Sequence, residues 1–238
     1  MRFLYNTPAI LHRDALVIGD THFGMEEKLR KKGIYNSALS EQLFWRAKRL
    51  LLEYKPKKLI LLGDVKENIT TLDETTNNIL SRLSMLAEVI IIKGNHDGGI
   101  SEKNAQIVGP EGFVYCGVAL AHGHAWPAEE LMRCKTLVVA HQHPLITLTD
   151  RSGKRHNEAV WLFAECNAKK ISKYYKSFNP NIKLVLLPAF NPLIGSPLNS
   201  STKTHLGPLL NNKLFKVNDA LLSKLDGTSL GRLKNLKM

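Results

Sequence analysis

The chain has 238 residues, 44% hydrophobic and 23% charged, enough to bury a sizeable core and too apolar for a disordered segment. Lysine and arginine number 33 against 21 acids, and the formal charge of +12 points to an anionic partner, nucleic acid or a phosphorylated molecule. Three cysteines, Cys116, Cys134 and Cys166, exclude a disulfide scaffold and a paired-cysteine zinc site, and fit a reducing cytoplasm.

The N-terminal stretch MRFLYNTPAILHRD lacks the apolar run of a secretory signal. No segment reaches the roughly 18 apolar residues of a membrane span, so a cytoplasmic protein with no membrane partner is expected. Residues 15–19 (ALVIG) read as the first buried strand. A helix follows over 37–56, where Leu39, Leu43, Ala47, Leu50 and Leu51 recur at helical spacing and Pro56 ends the run. Residues 58–63 (KLILLG) read as the second strand, 73–88 as a helix with acids at its start, and 88–93 (EVIIIK) as the third strand. Strand and helix alternating at this spacing predict an α/β fold of packed layers. Two extended pieces, 112–115 and 118–122, predict a hairpin about Cys116-Gly117. Further strands are expected at 136–140 (TLVVA) and 183–187 (KLVLL), a third helix at 158–175, and a second hairpin about Asp226-Gly227. No repeat or linker divides the chain. One domain over 1–238 is expected, with its motifs in 15–145 and a C-terminal elaboration over 146–238.

The polar residues fall where these strands end. The strand at 15–19 runs into Asp20-Thr21-His22, and that at 58–63 into Asp64. The strand at 88–93 runs into Gly94-Asn95-His96-Asp97. The piece at 118–122 ends in His122-Gly123-His124, and that at 136–140 in His141-Gln142-His143. In open α/β sheets, ligands bind at the carboxyl ends of the strands. Mixed imidazole, carboxylate and carboxamide donors suit a divalent transition metal such as Mn²⁺, Fe²⁺, Zn²⁺ or Ni²⁺. There are too many donors for one tetrahedral ion. Two ions about 3.5–4 Å apart would use them, and Asp64, alone at its strand end, is the most economical shared carboxylate.

In this order, Asp-x-His, Gly-Asp-x-x-Glu, Gly-Asn-His-Asp, His-Gly-His and His-x-His resemble the calcineurin-like metallophosphoesterase superfamily. The resemblance implies a layered β-sandwich flanked by helices. It also implies two divalent ions, Mn²⁺ first among them, in a phosphoric ester hydrolase. By the resemblance Asp20, His22, Asp64 and His143 hold one ion, and Asp64, Asn95, His122 and His141 the other. His96 is the acid near the leaving group, oriented by Asp97. The segments LVIGDTHFG and PAFNPLIGSPLN are similar to the archaeal SbcD-related phosphoesterases and the bacterial ligase-associated endonucleases of that branch. Two positions depart from the pattern. Glu67 stands where His or Arg is common, and Ala140 replaces a glycine before His141.

His124 reads as a phosphate contact or a support for the metal site, or else as a solvent-facing histidine after a strand. Arg151, Lys154 and Arg155 follow the last motif and are expected to meet phosphates near the site. Trp126, before Pro127, reads as a base-stacking ring or as packing. The basic run at 28–32 and Lys169, Lys170, Lys173 and Lys176 read as solvated faces, and His12, His156 and His205 belong to no motif. These residues predict metal-assisted hydrolysis of phosphodiesters in nucleic acid, as in DNA repair or processing. A small-molecule phosphatase would use the same metal residues, and a metal-free scaffold would use none of them. Assembly as a homodimer is open on this sequence.

Overall fold

Most of the apolar runs are too short for helices and are buried on both faces, so they form the interior strands of two stacked sheets. The computed structural model describes residues 1–36, 38–100, 103–199 and 207–236. The first half carries β1 (Arg2–Phe3), β2 (Ile10–His12), β3 (Ala15–Ile18), α1 (Met25–Lys31), α2 (Leu39–Tyr54), β4 (Lys58–Leu62), α3 (Glu74–Ser84), β5 (Glu88–Ile92) and β6 (Gln106–Val108). The second half carries β7 (Phe113–Tyr115), β8 (Val118–Ala121), β9 (Thr136–Val139), β10 (Pro144–Thr149), β11 (Arg155–Glu165), α4 (Ala168–Ile171), β12 (Lys183–Leu186), β13 (Ser196–Pro197), α5 (Pro208–Asn211), β14 (Leu221–Lys224) and β15 (Ser229–Arg232).

The first sheet is six-stranded in the order β1-β2-β3-β4-β5-β6 and is parallel from β3 onward. The second is nine-stranded: β13-β10-β11-β12-β9-β8-β7, with β14 and β15 joined through β11. Its β8, β9 and β12 are mutually parallel. Inward-facing Val17, Ile60, Leu62 and Ile92 of one sheet meet Leu120, Val138, Val185 and Leu187 of the other and form the middle layer. On the outer face of the first sheet, Leu43, Ala47, Leu50 and Leu51 of α2 and Ile79, Leu80 and Leu83 of α3 cover Leu59, Leu61 and Ile91. Both helices have legible ends. Lys55 turns left-handed (φ 45°) ahead of Pro56 after α2, and Asp73 caps α3 by accepting from the Thr76 amide at 2.8 Å.

The mixed α/β sandwich, the five expected strands, the first two helices and both hairpins are present. The expected helix over 158–175 is not. Residues 155–165 form β11, which pairs with β10 on its first half and with β12 and β14 on its second. Val160, Leu162 and Ala164 enter the outer core while Trp161 and Phe163 turn toward the middle layer. A strand apolar on both sides has no visible alternation, and its sequence resembles a buried helix. Only Ala168–Ile171 within that span is helical, so Lys169 and Lys170 are on α4 while Lys173 and Lys176 lie beyond it.

Leu62 is fully buried at the centre of the middle layer. Leu62→Ala should destabilise the fold by about 2–5 kcal/mol, read as a lower denaturation midpoint at unchanged m-value. A cost near zero would mean that the two sheets are not packed through this residue.

Candidate metal centre

β3, β4 and β5 from one sheet and β8 and β9 from the other end at a common edge, and there the backbone bends sharply. Asp20, His22, Asp64, His141 and His143 have φ of 54°, 45°, 47°, 66° and 43°. Left-handed backbone costs a non-glycine residue roughly 1–2 kcal/mol. Five of the seven residues expected to bind metal therefore sit in strained positions, which persist only where the surroundings over-determine them. The loops supply that support. Past the end of the β3–β4 ladder the chains keep bonding: the Asp20, His22 and Phe23 amides donate to the carbonyls of Gly63, Asp64 and Val65 at 2.8–3.0 Å. From the segment after β12, Asn191 donates through its backbone to the Asp20 carbonyl and through its buried carboxamide to that of Thr21 (3.1 Å).

The motif glycines have steric reasons. A Cβ on Gly63 would lie 2.4 Å from the His122 ring, and one on Gly94 would lie 2.2 Å from Asp64 Oδ1. Ala140 is accommodated because its methyl faces Gly19, where a second Cβ would stand only 3.0 Å away.

The side chains converge in two groups that share Asp64. In one, donor atoms of Asp20, His22, Asp64 and His143 all lie within 4.8 Å of one another, and in the other those of Asp64, His122 and His141 do. Asp20 and His122 are fully buried and Asp64 nearly so. His122 Nε2 lies 3.1 Å from Asp20 Oδ1, and His143 Nε2 lies 3.2 Å from it. Burial would push the Asp20 carboxyl up, but His143 and His122 outweigh it and hold it far below the usual carboxylate range. Burial, with His122 beside it, pushes His141 down to about 4. His143 is also buried, but Asp20 keeps it above its ordinary value, and a cation between them would replace its proton. His22 Nε2, His141 Nδ1 and His143 Nε2 are buried without a well-formed hydrogen bond. Ionised carboxylates beside buried imidazole nitrogens that lack partners are the donor set of a divalent transition metal, and the residues present fit two such ions.

A third group, His22, Glu67 and His96, borders the first. Glu67 Oε2 lies 2.7 Å from His22 Nδ1, and its other oxygen accepts from Lys28. Burial opposes ionisation of Glu67, but His22 and Lys28 together bring it to about 2. An ionised carboxylate can only accept, so it fixes the proton on His22 Nδ1 and leaves Nε2 toward Asp64, 3.6 Å away. Glu67 and Asn191 have roles here that the sequence did not single out. The only signals were the Gly-Asp-x-x-Glu spacing and the PAFNPLIG block.

His96 Nδ1 lies 2.8 Å from the Glu67 carbonyl oxygen, and its amide donates to Asp64 Oδ1 at 2.9 Å. Asp97 does not hold the His96 ring, contrary to expectation. Its buried carboxylate accepts from the amides of Gly94 (2.7 Å), Val65 (2.8 Å) and Lys66 (3.4 Å), tying the β4 and β5 loops together. Asn95 is exposed in the same turn, and its carboxamide has no partner among the described residues. His124 is half-buried with Nδ1 2.9 Å from His122 Nδ1, so one ring donates to the other and His124 orients His122. Arg151, Lys154 and Arg155 are not near the centre. They crown the β10–β11 hairpin, and the six residues of β10 carry them roughly 20 Å from His143. His12, bonded to the Cys116 carbonyl, and His156, beside Glu158, are outside the centre, and His205 lies outside the described residues.

The sequence model of the calcineurin-like phosphoesterases matches residues 14–186. The chain has no significant match among curated proteins. Among solved structures, the nuclease MPE of Pseudomonas putida is 21% identical, with a TM-score of 0.54 over 90% of this chain and 86% of that one. The phosphoesterase Yfce of E. coli is 15% identical, with a TM-score of 0.41 over 92% of this chain and 97% of that one. Among the described residues no helix is long and apolar enough to cross a membrane.

Glu67→Gln keeps the shape of the side chain and removes its charge. It should weaken metal affinity about 10–100-fold, measured by competition with a chelator. Unchanged affinity would show that His22 needs no carboxylate behind it.

Proposed function

The chain belongs to the calcineurin-like phosphoesterase family, a metal-dependent hydrolase by that membership, and we propose that it is a two-metal phosphodiesterase acting on nucleic acid. The observation that carries the two-metal reading is the buried Asp64 carboxylate common to both donor groups. One ion takes Asp20, His22, Asp64 and His143, and the other Asp64, His122, His141 and the carboxamide of Asn95. Mn²⁺ is the metal we assign, by the family resemblance; the mixed nitrogen and oxygen donors suit Fe²⁺, Zn²⁺ and Ni²⁺ as well. When bound, the two ions supply the positive charge that draws in a phosphate and the acidity that makes a water nucleophilic at neutral pH.

The chain's own residues do the rest. Asp20 and Asp64 hold the charge of the site fixed, and Glu67 and His124 hold the rings of His22 and His122. The Glu67 carbonyl can only accept, so His96 Nδ1 carries a hydrogen. The second proton of the imidazolium is then on Nε2, the nitrogen free to meet the departing oxygen. As that oxygen gains charge, His96 donates to it, a role for a general acid. Asp97 acts one step back, by fixing the turn that presents His96. A net charge of +12 and the likeness of the motif blocks to SbcD-related and ligase-associated nucleases support nucleic acid as the substrate.

Two variants separate the roles. Asp64→Asn should strip metal from both positions, whereas His96→Asn should keep the metal and lower turnover by roughly 10²–10⁴. Metal analysis decides: equal loss of metal in both would make His96 a ligand. For substrate class, the plot of log affinity against log salt should fall steeply for oligonucleotides. Replacing Arg151, Lys154 and Arg155 with alanine should flatten it by about 0.7 per lost contact on a single strand, and only for strands long enough to reach the hairpin tip. A parent protein with no salt-dependent affinity for any nucleic acid, yet active on a chromogenic phosphodiester, would be a small-molecule phosphoesterase instead.

A further inference from the structure

The segment that carries His122 and His124 runs directly into an exposed aromatic pair. Trp126 (42% exposed) and Tyr174 (48%) stack with ring centroids 4.8 Å apart and planes inclined by 30°. The pair is held from below. Tyr174 Oη donates to Asn212 Oδ1 at 2.8 Å, and Asn212 Nδ2 donates to the Pro208 carbonyl at 2.8 Å. Neighbouring Tyr175 is buried against Trp126, and its hydroxyl donates to the Pro127 carbonyl at 3.0 Å. The start of α5 closes the ring back onto the metal-site loop. Gly207 comes so near that a Cβ there would fall 2.0 Å from the Gly123 carbonyl oxygen. These contacts hold the pair beside the His122-Gly123-His124 loop without a Trp126 side-chain contact to either histidine among those named.

Charge sorts the two flanks of the centre. Lys169, Lys170, Lys173 and Lys176 surround Tyr174 in the chain, Lys213 follows Asn212, and none of these five forms an ion pair among the described residues. Glu129 accepts from the Ser177 amide. Past His22 and Glu67 in the chain, a cleft of about 710 Å³ is lined by Glu26, Glu27, Glu41, Asp73 and Glu74 with Arg30, and Lys31 and Arg82 pair with Glu27 and Glu41. The five lysines favour a polyanion on the aromatic flank.

We propose that Trp126 and Tyr174 form a stacking platform for an unpaired base of single-stranded nucleic acid whose scissile phosphate occupies the metal centre. The proposal rests on the nucleic-acid reading above and adds which strand form is bound and where. Every base has a π-face, so the platform is indifferent to sequence, while the lysines meet the phosphates on either side. A base inside a duplex has both faces covered and cannot use it.

The test uses the full-length parent, Trp126→Ala and Trp126→Phe, with a fluorescent, hydrolysis-resistant phosphorothioate oligothymidylate as the single strand and a duplex of equal length. Trp126→Ala should weaken single-strand binding about 5- to 100-fold, and the aromatic Trp126→Phe should recover most of it. Duplex affinity should hardly change. Hydrolysis of a chromogenic phosphodiester should be the same in all three proteins, which shows that the centre is intact. If the parent binds the single strand and Trp126→Ala binds it equally well, the platform is wrong and the nucleic-acid reading stands. Equal losses for single strand and duplex also overturn it. If the parent binds neither while still cleaving the chromogenic ester, the nucleic-acid reading itself fails and the platform falls with it.

Discussion

Two carboxylates, Asp20 and Asp64, are buried at the seam between the sheets, and the architecture around them follows from that burial. An ion of this size costs several kcal/mol to desolvate even after relaxation, so it is tolerated only with cations or donors around it. In the protein alone, the donors are His122 and His143 against Asp20, the His96 amide against Asp64 and the His141 amide against Asp20. These contacts satisfy the carboxylates but leave His22 Nε2 and His141 Nδ1 without a hydrogen bond among the described residues, an imbalance that a divalent cation would remove. The strained φ values at five of these residues are maintained by the same network. Asp97 and Asn191 belong to neither donor group, yet they pin the loops in which those residues stand.

The sequence revealed most of this centre because each ligand follows a short apolar strand, and parallel strands deliver their ends to one edge. Once β3, β4, β5, β8 and β9 are recognised, Asp20, Asp64, His96, His122 and His141 are brought together by topology alone. What stayed hidden depends on pairing rather than on local pattern. β11 reads as a helix because Val160, Leu162 and Ala164 serve one core while Trp161 and Phe163 serve another. Arg151 and Arg155 follow His143 closely in sequence, but an extended strand covers distance quickly and takes them away from it. Asp97 adjoins His96 in sequence, but its carboxylate is spent on backbone amides, and a main-chain carbonyl orients the ring instead. Glu67 could be noticed as a departure from the family pattern, but only the coordinates show that it meets His22 and Lys28.

The supports of the two metal positions differ in kind. His22 is backed by an ionised carboxylate, a strong acceptor that raises the electron density on its far nitrogen. His122 is backed by a neutral imidazole, His124, whose own basicity is lowered by burial and by its neighbour. A ring backed by a carboxylate is the stronger donor, so on the proposed two-metal reading the position of Asp20, His22, Asp64 and His143 would hold an ion more firmly than that of His122, His141 and Asn95. The exposed Asn95 carboxamide, a weak neutral donor, works in the same direction. The second position is the one adjoining the Trp126–Tyr174 pair, on the flank where the lysines gather.

A charge of +12 says little about where a substrate goes, because total charge sets attraction at a distance and its local distribution sets the path. Here the distribution is uneven next to the centre. The cleft beside α1 and α3 is lined by five carboxylates and one arginine, with Glu27 and Glu41 paired to Lys31 and Arg82, while lysines that form no ion pair among the described residues crowd the flank of α4 and α5. Salt screens exposed charges beyond about 8 Å at physiological ionic strength. Only the residues bordering the centre can therefore steer a bound phosphate chain, and more distant charges such as the hairpin arginines act on a chain long enough to reach them. On the proposed nucleic-acid reading, the same short range makes the aromatic, lysine-lined flank the exit that a bound strand would take.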